Sequence, residues 1–579
     1  MLAGPIFNRQ LLTTPKTYRH YLIRGGYVVA LILLMYTTGQ AAFGWQQVRN
    51  IGAMARFGNL VFQIFALVQL SLVLFFALLF TAGGVSQEKD RQTLILLLMT
   101  DMRDRELVLG KLAAGLLLMA VLLAASTPVF VMIYLMGGVT LGQIGWTLAL
   151  CASAGLAAGS WGVLVAFWRE KTFQTLTIGV LGVVLFIGMA FAEAAIDYGG
   201  SESAIAGWVA WGNPYRSLLN LLSPLQSHFG LEPVEVSAWG GVLAMVCLSV
   251  VLNVITIFRL RIWNPSRFVF LTDSPTDDEA TQQSKQRVRR IWNYPVIWRE
   301  MRTRAYGRKV MLIKLAYLAL ALFAAYSVSE TSSEHEMILG MISPTGFAFV
   351  GLSLIGLLLI NAQAVTALTT ERDGKTLELL LMTDVTAKEF IFSKLGGIFY
   401  NTKEVILIPL ALTMFYVTRG QLSIEHMAYA AIAYLVLVGF ATMLGLHSGL
   451  SFDNSRSAIA NSLGTIFFLF IGIFIFMILL IEARGSFLLQ FQNFVVFIVV
   501  GSLALSASLT HRNPSAALRL SAFLLPFLTF YSLTEFLLAG SLSVCLAISS
   551  AYGFTTIAML VPAVSEFDVA LGRTTLDKG

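Results

Sequence analysis

The sequence predicts an all-α, polytopic membrane bundle made of two tandem parallel repeats. Three observations carry that prediction: long apolar runs, a duplicated charged segment, and basic residues crowded on one side of the expected topology. Of 579 residues, 57% are hydrophobic and 12% are charged, against about a quarter charged in soluble domains. The apolar residues fall in blocks of the ~20 residues that a helix needs to cross hydrocarbon. Such blocks occupy Tyr21–Ala42, Asn59–Gly83, Leu112–Met136 and Ile144–Phe167, and recur to the end of the chain. A water-soluble core is excluded. The first run is too long for the apolar core of a cleaved leader and follows an amphipathic basic stretch, so it reads as a retained first crossing.

The duplication is explicit. Glu88–Leu112 (EKDRQTLILLLMTDMRDRELVLGKL) aligns without gaps on Glu371–Leu395 (ERDGKTLELLLMTDVTAKEFIFSKL), 283 positions later, with 13 of 25 residues identical. GPIFNRQLLT from Gly4 matches YPVIWREMRT from Tyr294, pairing Pro5 with Pro295 and Arg9 with Arg299. A weaker match pairs FWREKT from Phe167 with FDNSRS from Phe452. Charged copies that share one side of a membrane require an even number of crossings per repeat, so the repeats are parallel rather than inverted.

Twelve Lys and Arg lie between Arg259 and Lys309, while the expected outer segments carry few. By the positive-inside rule this puts both termini and the central linker in the cytoplasm, and it makes the net charge of +7 a topological feature rather than a nucleic-acid footprint. The expected units are 1–264, a polar linker over 265–293, and 294–579. Each has an amphipathic elbow followed by about six crossings. Phe487–Leu509 and Ala516–Glu535 add either two crossings or a re-entrant hairpin, so the total is twelve or fourteen.

The repeated segment carries an apolar stripe, Leu94, Leu97 and Leu98 in one copy and Leu377, Leu380 and Leu381 in the other, at the i, i+3, i+4 spacing of a helix. Such a stripe held in the cytoplasm needs a partner or the lipid interface to cover it. Thr386 and Glu389 form a capping box opening the next helix. In the elbows, Arg9 and Arg299 supply basic faces suited to anionic head groups. Lys403 and Glu404 are candidate intramembrane charges, read first as residues at the membrane boundary where a lysine can snorkel. Gly155 and Gly159, one and two turns beyond Cys151, mark close helix packing. Cys151, Cys247 and Cys545 show no paired spacing, so neither disulfides nor a thiolate metal site is expected. The DGKT at Asp373 imitates the end of a phosphate loop, but Thr369 stands where the leading glycine belongs. Asn213-Pro214 and Asn513-Pro514 read as breaks in outer segments, and Glu334, His335 and Glu336 as an exposed acidic loop.

The charged cluster at Glu88 or Glu371, the Thr-Leu and leucine-rich stretch, the Thr-Asp and the Gly-Lys or Ser-Lys that follows resemble the coupling-helix region of type-2 ABC exporter permeases. The elbows at Pro5 and Pro295 and the closing EFDVALGR from Glu566 are similar to the same family. The resemblance implies a permease subunit without an ATP site or cofactor of its own, paired with two separate ABC ATPase subunits that bind ATP and Mg. It implies docking of those subunits on Glu88, Asp90, Thr93, Leu94, Leu97, Leu98 and Asp101, and on Glu371, Asp373, Thr376, Leu377, Leu380, Leu381 and Asp384. It further implies export of an unidentified substrate across a bacterial cytoplasmic membrane. Two alternatives stay open here. A major-facilitator secondary transporter also has parallel repeats, but its loop after the second helix is a short Gly, Asp, Arg pattern. An ATPase-coupled scaffold doing mechanical work has the same docking needs.

Overall fold

The computed structural model describes residues 4–13, 18–43, 50–196, 211–222, 238–264, 295–302, 310–330, 343–377, 385–482, 487–511, 515–537 and 540–565. All regular elements among the described residues are α-helices. The N-terminal part contains α1 (Gly4–Thr13), α2 (Tyr18–Phe43), α3 (Ile51–Asp90), α4 (Thr93–Leu98), α5 (Asp104–Met136), α6 (Leu141–Trp168), α7 (Thr172–Ile196), α8 (Pro214–Leu221) and α9 (Ala238–Trp263). The C-terminal part contains α10 (Pro295–Arg302), α11 (Val310–Glu330), α12 (Pro344–Asp373), α13 (Ala387–Thr418), α14 (Ile424–Ser451), α15 (Ser455–Glu482), α16 (Phe487–Leu509), α17 (Ala516–Leu537) and α18 (Ser541–Ser565). The linker 265–293, Glu334 to Glu336, Asn513-Pro514 and the EFDVALGR segment from Glu566 fall outside the described residues.

Among the described residues, eleven helices are long and apolar enough to cross a membrane, and Thr172–Gly188, Ile313–Tyr326 and Phe494–Leu509 are shorter apolar stretches. The choice left open by the sequence is resolved by where α16 ends. His447 on α14 donates from Nε2 to the Leu509 carbonyl at 2.9 Å, and the His511 ring stacks on Phe452 with centroids 4.4 Å apart. The turn after α16 therefore lies level with the turn between α14 and α15. A hairpin re-entering from the opposite face would not reach that level, so α16 and α17 both run the full height of the bundle.

At 40 residues, α3 is about 60 Å long, roughly twice the hydrocarbon thickness, so it extends beyond the hydrocarbon, and its last turn carries the charges Glu88, Lys89 and Asp90. The charged end leads into α4, and it is called the α4 end below. The small residues of α6 do what their spacing predicts. A Cβ on Gly155 would lie 2.6 Å from Val73 of α3, and one on Gly159 would lie 2.9 Å from Leu116 of α5. Cys151 is buried beside them. Asn213 caps α8 by accepting from the Tyr215 amide at 2.9 Å, and α8 packs on α6 and α9. At the other end of the C-terminal part, Glu535 accepts from Tyr531 at 2.9 Å and from Ser543 at 3.0 Å, tying α17 to the start of α18.

The two parts meet along two seams. On one, α15 lies against α2 and α3; on the other, α7 lies against α11 and α12. The seams exchange the same ordinal helices, as expected for parallel repeats about an axis along the membrane normal. Phe75 of α3 and Phe467 of α15 stack at 4.0 Å with their planes 4° apart.

Close approach also marks the crossing of α14 over α12. A Cβ on Gly445 would lie 2.5 Å from Ala364 Cβ and 2.9 Å from both Asn361 O and Val365 N. Because two of these are backbone atoms, the neighbour cannot move aside cheaply. Gly445→Val is expected to cost about 1–3 kcal/mol as overpacking, read as a lower thermal unfolding midpoint in detergent. An unchanged midpoint contradicts the crossing.

Candidate functional site

The two charged segments begin where α3 and α12 leave the bundle, and both helices end in the same way. Gln92 and Lys375, 283 positions apart, are the non-glycine residues of positive φ among those described, at 59° and 55°. A single left-handed residue turns the chain after the long helix, and α4 starts at Thr93. Thr93 Oγ1 donates back to Glu88 O at 3.2 Å, and Thr376 Oγ1 donates to Glu371 O at 3.1 Å. The sequence Gly374-Lys375-Thr376 is thus a helix-ending turn, with Gly374 at a φ of −78°, and not a phosphate cradle.

The residue before each carboxylate Asp clamps a neighbouring helix. Lys89 Nζ donates to Phe167 O at 2.6 Å and Arg169 O at 2.9 Å, at the C-terminal end of α6. Arg372 donates to Gly449 O at 3.0 Å and to Phe452 O at the end of α14. Phe167 and Phe452 are themselves paired by the weak sequence match. A helix C-terminus carries unpaired carbonyls and partial negative charge, which is what a cation on the adjacent helix satisfies.

Leu94 and Leu377, which open the two stripes, do not face outward. Leu94 is 3% exposed and packs with Val85, Leu107, Val108 and Phe167, while Leu97 and Leu98 are half-buried against the same cluster. Leu377 is buried likewise, at 6%. Leu380, Leu381 and Asp384 fall outside the described residues. In the first copy α5 and α6 cover Leu94 and leave Leu97 and Leu98 part-exposed; helical spacing says which residues share a face and not what covers that face. On the outer side of α4 stand Ile95, Leu96 and Met99, 38%, 61% and 57% exposed. Thr93 and Asp101 are also exposed.

Four carboxylates of the two segments are engaged within the chain. Glu88 pairs with Lys111. Asp90 accepts from Thr172. Asp373 bridges the two parts through Arg91 at 3.3 Å. Glu371 joins a buried quartet: Lys394, 2% exposed, lies 2.7 Å from Glu300 and 2.8 Å from Glu371, and Arg299 contacts both carboxylates. Burial alone would push the Glu300 carboxyl up, but Lys394 and Arg299 together hold it below its ordinary 4.5.

Glu300 belongs to the second elbow, α10, which seats on α13. A Cβ on Gly396 would meet Ile297 at 2.8 Å and one on Gly397 would meet Glu300 Cβ at 2.7 Å. Pro295 is exposed, as are Pro5 and Arg9 on α1. Arg299, expected to face head groups, is instead turned toward the two carboxylates. Lys403 and Glu404 lie farther along their helix than the sequence suggests, since α13 begins at Ala387 with the capping box of Thr386 and Glu389 in place. They stand about two turns beyond the elbow contact at Gly396 and Gly397. There Glu404 pairs with Lys314 of α11 at 2.8 Å, and the Lys403 ammonium lies 4.5 Å over the Tyr400 ring.

Sequence reasoning missed the left-handed turn, the cation clamps, and the pair Glu300 and Lys394. An acid inside an otherwise basic elbow, where the first copy has Gln10, was the signal for Glu300. Lys111 and Lys394 are identical in the aligned blocks, but alignment alone does not tell a buried lysine from a solvated one.

Two tests follow from this geometry. Lys394→Met leaves Glu300 and Glu371 short of their shared cation and is expected to cost about 3–5 kcal/mol. Lys394→Met combined with Glu300→Gln should recover part of that loss in detergent unfolding, and an unaltered midpoint in the single variant contradicts the quartet. Since the Glu300 carboxyl is depressed, its contribution is full at neutral pH and is lost as pH falls through the depressed value. At the turn, Gln92→Gly is expected to gain about 1 kcal/mol by removing left-handed strain. Gln92→Val should lower stability, and equal midpoints for the two variants would contradict the assigned conformation.

Residues 18–264 match the family model described as ABC-2 family transporter protein. The match runs from the first residue of α2 past the end of α9, so it takes in α4, its turn and the Lys89 clamp. No curated protein gives a match to the chain. The chain is an integral membrane protein, and its residues 18–264 are similar to the ABC-2 family transporter proteins.

Proposed function

We propose that the chain fuses two permease units, 1–264 and 294–579, through the linker 265–293, and that it serves as the membrane subunit of an exporter driven by two separate ATPase subunits. In this reading the α4 end and both termini face the cytoplasm of a bacterial inner membrane. ATP and Mg bind to the partner subunits. The observation that carries the reading is the repetition of local geometry at one spacing: the left-handed turn, the threonine back-bond and the cation clamp recur in the C-terminal part 283 positions on.

The mechanism is a lever. The docking helix α4 continues, through a two-residue turn with Gln92 left-handed, from a helix that runs deep into the bundle, and the second docking segment follows the equivalent turn at Lys375. Approach of the ATPase subunits on binding ATP pushes the docking helices, and the clamps pass that displacement to the neighbouring helices. The bundle then shifts toward the state that the closed ATPase pair binds better. A partner meets the outer face of α4, which is apolar, and not the inward Leu94.

Leu96→Asp together with Leu379→Asp, its equivalent in the second segment, is expected to abolish co-purification with co-expressed candidate ATPases that hold the unaltered chain. Retained co-purification removes the docking assignment.

A further inference from the structure

A cavity of about 600 Å³ opens at the α4 end on the seam of α7 with α11 and α12. Asp90, Glu170 and Lys171 line it from the N-terminal part, and Thr370, Glu371 and Gly374 from the C-terminal part. The equivalent place on the other seam is filled. Where the cavity has Gly374, Thr370 and Lys171, the repeat puts Arg91, Gln87 and Arg456. Arg91 reaches across to Asp373 at 3.3 Å, Gln87 Nε2 donates to Asn454 Oδ1 at 2.7 Å, and the Arg456 guanidinium lies 5.7 Å over the Phe80 ring. One seam is stitched shut by long side chains, and the other keeps a cavity because its residues are short or point to solvent.

The hydrogen bonding of the walls defines what would complete them. Two of the three lining ammonium groups are consumed by the protein: Lys89 by carbonyls, and Lys394 by Glu300 and Glu371. Acceptor capacity is left over, since Glu371 Oε2 is buried with no hydrogen-bond partner and Glu170 is exposed at the rim. Four carboxylates and three ammonium groups line the cavity, and Arg299, outside the lining, pairs with Glu300 and Glu371. A buried carboxylate oxygen without a donor costs free energy that an N–H donor of a ligand would recover. Phe173 adds an aromatic wall on which a cation is favoured.

We propose that this one-sided cavity binds an organic ammonium group, carried by an amphiphile or by a soluble amine. As an entry site for cargo it deepens the permease reading and rests on it, but the binding itself does not.

The test is direct binding to the purified full chain in nonionic detergent, with dodecylamine, butylamine and dodecyl sulfate as probes. Two variants accompany the wild type: Glu170→Lys, an exposed change, and Thr370→Gln with Gly374→Arg, which copies the filled seam. Saturable dodecylamine binding, weakened at least tenfold in both variants and absent for dodecyl sulfate, is the expected result. Butylamine binding of similar sensitivity identifies a soluble amine as the source, and its absence identifies an amphiphile. Equal amine binding in wild type and both variants, or dodecyl sulfate binding as tightly as dodecylamine, overturns the proposal. Failure of ATPase co-purification would leave this binding result untouched, so the two readings fail separately.

Discussion

The contact on which the α4 end depends is a cation meeting the open end of a helix. A helix C-terminus presents carbonyls with no partner of their own; near a membrane boundary, with little water to satisfy them, those carbonyls need a donor from the protein. Lys89 and Arg372 supply it to the ends of α6 and α14. Because each cation sits on the last turn of α3 or α12, the clamp also fixes where those long helices stop. The left-handed residue follows within three positions, and the direction of α4 is set from there. Remove the clamp, and neither the turn nor the lever has a fixed origin.

The two parts use this shared frame differently. In the N-terminal part Glu88 has Lys111 as its ion-pair partner, whereas in the C-terminal part Glu300 draws Glu371, Lys394 and Arg299 into one buried group that ties the elbow to two long helices. A buried pair of this kind adds less to stability than its Coulomb attraction suggests, since desolvation offsets most of it, and its clearest effect is to specify one arrangement. The seams diverge as well. The α16 and α17 pair, which has no counterpart in the N-terminal part among the described residues, lays α16 against α2, where Phe497 joins the apolar cluster around Ala41, Leu72 and Leu479. Two units on one chain are free to drift apart in sequence, which identical subunits are not.

Much of the fold was legible because apolar length and exact repetition are local properties of a sequence. The capping box at Thr386 and the small residues at Gly155 and Gly159 were equally legible, since their meaning depends on neighbours within two turns. The stripe at Leu94 was legible as a helix face, but its direction was set by Val85, Leu107 and Phe167, which lie on three other helices. The extra crossings could be read as apolar but not as full-height, because that rests on a contact between His447 and Leu509, 62 positions apart. Glu300 and Lys394 are 94 positions apart, and no periodicity links them. What a sequence hides here is the partner of each charge, and the partners make the site.

The most direct measurement is the sidedness of Leu96. With exposed Cys247 replaced by Ser and Leu96 by Cys, a membrane-impermeant maleimide should leave the protein unlabelled in intact cells and label it in inside-out vesicles. Labelling in intact cells would put the α4 end on the wrong side of the membrane for any ATP-driven partner, and the account would fail with it.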